Sequence, residues 1–124
     1  MTEKREQSSS NGSIAADDDL YRRIPPQLAR PDRPSSQNFT DRNLSVEVAK
    51  LTTAQATMQP VSHLPDFTKW RLASLKAGIP REEGLEVYSD PLPENQAHAI
   101  IFGDKPKRIS RKLALACRWI KWNE

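Results

Sequence analysis

The chain has 124 residues, 28% of them charged and 36% hydrophobic, which allows one modest core and excludes a second domain. Its one cysteine, Cys117, excludes an internal disulfide framework, and no apolar run approaches the roughly 18 residues of a membrane span. The net charge of +3 hides a partition: residues 104–124 hold seven Lys/Arg against two acids, so the remainder is slightly acidic.

Residues 1–19 are dominated by Ser, Asn, Gly, Glu and Asp, with Ile14 the one sizeable aliphatic after Met1. Such a stretch buries too little surface to offset its ordering entropy, so it reads as a disordered polar leader, with 20–124 forming a single domain. It contains no apolar segment able to act as a secretory signal, and a cytoplasmic location is expected. The acidic triplet Asp17-Asp18-Asp19 reads as a solvated charge run, because three adjacent acids cannot all face one ion in a regular element.

Leu20 to Ile24, rich in strand formers and closed by Pro25-Pro26, predicts an edge strand or an extended docking segment. The stretch to Asn43 adds Pro31 and Pro34 and predicts a long loop pinned to the core by Phe39. Arg30, Arg33, Ser35 and Ser36 make it a candidate anion-contacting loop, against the plainer reading of a solvated connector. Leu44 to Val48 alternates apolar and polar residues and predicts a strand with one face buried. An irregular or short helical run follows, since Thr52, Thr53 and Thr57 are poor helix formers. Pro60 and Pro65 bracket a second loop, in which His63 reads as a surface residue.

Trp70 to Ala77, Leu85 to Ser89 and His98 to Phe102 predict three strands of an antiparallel meander, although Leu72, Leu75 and Ile79 also match helical spacing. Pro80 opens a helical turn that Gly84 closes, and Glu82-Glu83 on it reads as a solvated pair. Ile100, Ile101 and Phe102 in succession predict a strand buried on both sides. Asp104 to Glu124 then reads as one amphipathic helix, with Asp104 as its cap and Pro106 in its first turn. At about 100° per residue, Ile109, Leu113, Ala116 and Ile120 form its buried stripe, with Cys117 at the edge as a buried structural thiol. The opposite face carries Arg108, Arg111, Lys112, Leu115, Arg118, Trp119 and Trp122, with Lys121 at the margin. The fold class is α+β: a small antiparallel sheet of three to five strands against a C-terminal amphipathic helix, with long Pro-rich loops.

The combination of Arg33-Pro34-Ser35-Ser36 and Phe39, Leu44-Ser45-Val46, Asp90-Pro91, Ala97-His98-Ala99 and Gly103 resembles a group of small bacterial proteins with no established activity. It spans most of residues 20 to 119, and it implies no cofactor or catalytic residue.

Two classes of function follow from the residues. In the first, a non-enzymatic accessory or adaptor protein binds nucleic acid or an acidic partner subunit through Arg108, Arg111, Lys112, Arg118, Trp119, Lys121 and Trp122, cations supplying charge and indoles a stacking surface. Membership of a larger assembly fits that reading. In the second, a small enzyme acts on a phosphate ester with His98 as acid/base, a hairpin bringing Asp90 or Tyr88 beside it and Arg33, Ser35 or Ser36 supplying an anion clamp or nucleophile. A packed histidine bonded to a backbone carbonyl is the plainer reading of His98. Four glycines form no phosphate loop, and one Cys with His63 and His98 gives no zinc spacing, so neither a cofactor nor a metal is expected.

Overall fold

A computed structural model describes residues 14–123. Six antiparallel strands make one sheet: β1 Asp19–Ile24, β2 Asn43–Val48, β3 Arg71–Lys76, β4 Glu86–Ser89, β5 His98–Phe102 and β6 Arg118–Ile120, in the order β4-β5-β2-β1-β3-β6. The helices are α1 Ala54–Met58, α2 Gly78–Glu82 and α3 Lys107–Ala116. The class is α+β, with one strand more than the upper expectation. The extra strand is β6, which pairs with β3 through Leu72↔Ile120, Ala73↔Trp119 and Ser74↔Arg118.

β1 is interior rather than an edge, since it pairs with β3 along its whole length and with β2 at Leu20↔Val48 and Tyr21↔Glu47. Pro25 and Pro26 remove ladder donors only beyond its end, so they do not bar a central position. β4 and β5 form the expected hairpin, but β3 lies across the sheet from them beside β1, so the three strands are not a meander. Gly103 turns the chain out of β5 at φ +133°, where a Cβ would meet Leu85 Cδ2 at 2.7 Å.

Alternation along the strands sends Leu20, Leu44, Val46, Val48, Ala99 and Ile101 to one face, where Phe39, Ile109, Leu113 and Cys117 complete the core. Ile14, placed by the sequence in the leader, also belongs to that core, so order begins before Leu20. The rest of the expected leader, residues 1–13, lies outside the described residues. Asp18 receives Ala15 N at 2.7 Å and Lys50 Nζ at 2.9 Å, and these bonds hold its carboxyl below the usual range, the lysine foremost. Asp19 pairs with Lys76 at 3.0 Å and Arg118 at 3.7 Å, so the triplet is partly structural.

The predicted terminal helix is corrected at both ends. It starts at Lys107 behind Pro106, and Asp104 pairs with Arg42 instead of capping it. It stops at Ala116, where the backbone turns extended at Cys117 and continues as β6. Its buried positions are Ile109, Ser110, Leu113 and Ala114, whereas Ala116 is exposed and Ile120 lies in the strand. Cys117 is buried, and desolvation pushes its thiol up to about 12, which leaves it unreactive.

Lys105 ties the joint between β5, β2 and α3. Its ammonium donates to the carbonyls of Asp41 at 2.6 Å, Ile101 at 2.8 Å, Gly103 at 3.0 Å and Arg42 at 3.1 Å. Burial pulls it from 10.5 down to about 8, with Asp41 opposing. The folded chain therefore holds fewer protons here than the unfolded chain between those values, so this group adds stability as pH rises from 8 to 10.5. Lys105→Met should cost about 2 kcal/mol in urea unfolding at neutral pH, because the carbonyls lose their charged donor. The same titration repeated up to pH 10.5 should show the upward drift in the wild type and not in the variant.

Candidate functional site

The sheet face opposite the core is polar. Tyr21, Ser45, Glu47 and His98 alternate with the core residues of β1, β2 and β5, and they floor a cavity of about 840 Å³ walled by residues 51–61 and the loop before β5. Sequence alternation marked this face as the solvent side of a strand; the segments folded over it turn it into a site.

Glu47 holds the walls together. It is 6% exposed and accepts hydrogen bonds from Thr57 Oγ1 at 2.9 Å, Asn95 Nδ2 at 2.9 Å and Arg23 Nη1 at 3.2 Å. Arg23 also donates to Thr57 O at 2.8 Å. One carboxylate thus joins β1, β2, α1 and the loop carrying Asn95, and its buried charge is matched by a partly buried guanidinium.

Beyond Tyr21↔Glu47 the ladder between β1 and β2 ends, and Arg22 spans the gap, donating from Nη1 to Ser45 O at 2.9 Å. Its Nε is buried without a partner, and burial draws the guanidinium below its ordinary pKa, against the pull of Asp41. Arg22 and Arg23 both line the cavity.

His98 sits at the start of β5 between Asp90 and Ser45. Its Nδ1 lies 3.0 Å from Asp90 O and 3.1 Å from Asp90 Oδ2, and its Nε2 lies 3.2 Å from Ser45 Oγ. Two acceptors at Nδ1 favour the tautomer with the proton there, in which Nε2 accepts from the Ser45 hydroxyl. The hairpin brings Asp90 to His98 as expected. Arg33, Ser35 and Ser36 do not reach it: they line a separate cleft of about 280 Å³ with Arg30 and Arg111. The serine at the histidine is Ser45, from the neighbouring strand. The proline loop folds onto the core face instead, where Phe39 is fully buried and Trp119 Nε1 donates to Pro31 O at 3.1 Å.

The basic terminal segment is divided in the same way. Arg108, Arg111, Lys112 and Leu115 are exposed on α3, but Arg118, Trp119, Lys121 and Trp122 follow its end and share no face with them. Glu83 receives Lys112 at 2.6 Å and Arg108 at 2.9 Å, and these bonds lower its pKa, so it is not the solvated acid expected of a surface pair. Arg71 stacks over Trp119 at 4.0 Å. The Trp122 ring lies 4.7 Å from that of Phe67, and its Nε1 donates to Trp70 O at 3.2 Å. Both indoles are half-buried against the chain itself.

His63 is exposed, as expected of a surface residue. No group of three or more His, Cys, Asp or Glu that could hold a metal occurs among the described residues. No helix among them is long and apolar enough to cross a membrane.

Ser45, Glu47, Arg22, Arg23 and Asn95 were missed as site residues. The one available signal was a pair of arginines and a glutamate placed among apolar strand residues, where a solvated face is the ordinary explanation. What these features define is a small α+β domain with a polar cavity on the sheet face away from its core. Comparison with protein-family models, curated proteins and solved structures gives no match.

Replacing Glu47 with Leu should cost about 2 to 4 kcal/mol in urea unfolding, because it strands Arg23 and leaves Asn95 and Thr57 without their acceptor. Glu47→Gln should recover part of that loss, since the amide oxygen still accepts.

Proposed function

We propose that the chain is a small enzyme that cleaves or transfers a phosphate ester at the His98 cavity. The observation that carries this reading is the chain Asp90–His98–Ser45, which ends in a serine hydroxyl facing a cavity lined by Arg22 and Arg23. Its order of roles, an acid orienting an imidazole that faces a hydroxyl, is recognised by geometry rather than by sequence position.

In the first step Ser45 Oγ bonds to phosphorus while its proton passes to His98 Nε2. The bond to the leaving alkoxide breaks, and that oxygen takes the proton from Nε2. A water molecule then attacks the phosphoserine, giving its proton to His98, and Ser45 Oγ departs and is reprotonated. Asp90 orients the ring and stabilises its cationic form. Arg22 and Arg23 meet the charge on the phosphoryl oxygens, which is the main requirement of this class of reaction.

The purified chain should turn over p-nitrophenyl phosphate or bis(p-nitrophenyl) phosphate, and Ser45→Ala and His98→Ala should each reduce kcat at least about a hundredfold with unchanged thermal unfolding. Turnover that survives both substitutions, or none in the wild type on either substrate, removes the assignment. Hydrolysis of p-nitrophenyl acetate alone, lost in both variants, keeps the residue roles and changes the substrate to a carboxylic ester.

A second reading, the non-enzymatic accessory protein, is supported by the joint exposure of Arg111 and Leu115 on α3. Its ligand is nucleic acid or an acidic partner subunit, and covering both indoles leaves it cations but little stacking surface. Binding to short oligonucleotides at low salt, abolished by Arg111→Glu with Lys112→Glu, is its expected signature.

A further inference from the structure

On the core side of the sheet the proline loop and α3 meet at the smaller cleft, where Arg30, Arg33, Ser35 and Ser36 face Arg111 and Leu115. Three arginines line it, and no Asp or Glu lies among the described lining residues. Several other surface cations are matched: Arg108 and Lys112 by Glu83, Arg118 and Lys76 by Asp19, Arg42 by Asp104. Arg33 and Arg111 form no ion pair among the described residues, and the Arg30 guanidinium bonds only a neutral carbonyl, Gln27 O at 2.9 Å. Gathering like charges without a counter-charge is unfavourable, and an anion in the cleft would offset it.

The loop that carries these groups is held in place before any ligand arrives. Arg30 N donates to Arg33 O at 3.0 Å and Ser35 N to Leu28 O at 2.7 Å, which closes the loop on itself. Asn38 Nδ2 reaches Ser35 O at 2.9 Å and Leu28 O at 3.2 Å from beneath. Trp119, sandwiched by Arg71, pins the tip through Pro31 O. Ser35 Oγ accepts from Gln37 N at 3.2 Å, so its hydroxyl hydrogen stays available to an acceptor in the cleft. A loop already held in place lowers the ordering cost of binding, and guanidinium groups match phosphate oxygens in pairs.

We propose that this cleft binds one phosphate group of a small phosphomonoester whose apolar part rests on Leu115. Two observations favour a single phosphate over a nucleic-acid backbone. The cleft is small, about 280 Å³, and of the other α3 cations Arg108 and Lys112 are held by Glu83, which leaves Lys107 alone to extend the charge beyond Arg111. Leu115 is 63% exposed at the rim, one helical turn from Arg111, which places an apolar contact beside the charge. The site is independent of His98 and lies on the other face of the sheet.

Calorimetric titration of the full chain with inorganic phosphate and with phenylphosphonate, which resists hydrolysis, tests the assignment at low ionic strength. Both should bind, phenylphosphonate more tightly. Arg33→Ala with Arg111→Ala should weaken both at least about tenfold. Leu115→Ser should remove the difference between the two probes. Thermal unfolding of each variant shows that the fold is kept, since all three cleft positions are exposed. The inference is overturned if no heat appears at millimolar phosphate or if the double variant binds as the wild type does. It is overturned too if an oligonucleotide binds with a salt dependence of several phosphates. Binding lost in His98→Ala alone would place phosphate in the other cavity, which supports the enzymatic reading and removes this one.

Discussion

A single buried carboxylate organises the polar half of this molecule. Glu47 stands on the central strand β2 with core residues on either side, and its oxygens gather donors from β1, from α1 and from the loop ahead of β5. An ionised group in that position is costly unless its lone pairs are filled, so folding must bring all three donors to it together. The segments that carry them, residues 49–61 and 91–97, also bury Met58 and Ala97, and Glu47 adds the polar tie that joins them to the sheet. Without these segments the cavity has no walls.

The two faces of the sheet follow from strand period. Leu20, Val46, Val48 and Ala99 send their side chains to α3 and the proline loop, while Tyr21, Ser45, Glu47 and His98 point the other way. The departure is Arg22, which shares the parity of Leu20 and Ile24. It escapes the core because β1 and β2 separate after Tyr21, and the guanidinium crosses the opening to Ser45 O. A break in one ladder therefore brings a second cation to the same cavity and sets it beside the strand that bears Ser45. Lys105 resolves a comparable problem at the end of β5, where carbonyls of the turn at Gly103 and of the segment entering β2 are collected by one ammonium.

Local pattern made β2, β4, β5 and the buried half of α3 readable, because each is a short run whose apolar period is strong. It misjudged residues 117–123 for a physical reason. Arg118 and Trp119 fit a helical projection as an exposed face, yet the same residues fit a strand, and the choice was made by the open edge of β3. A strand there satisfies backbone groups on both chains and lets Trp119 cover the proline loop. His98 and Asp90 were legible as a pair because a hairpin separates them, so their approach is local. Ser45 was not, since it stands 53 residues from His98 and reaches it only through pairing of β2 with β5.

By itself the sequence determined the α+β class, the positions of five of the six short strands, a core that includes Phe39, Leu113 and Cys117, and a histidine next to an aspartate. Those features depend on composition and on contacts within a few residues, which periodicity and turn chemistry record. Tertiary structure decided the rest: the central place of β1, the conversion of a polar strand face into a cavity, the serine that meets His98, and the partial covering of both terminal indoles. Each requires two segments far apart in the chain to meet. Such meetings are set by which exposed edges and buried charges find partners, and no local pattern carries that information.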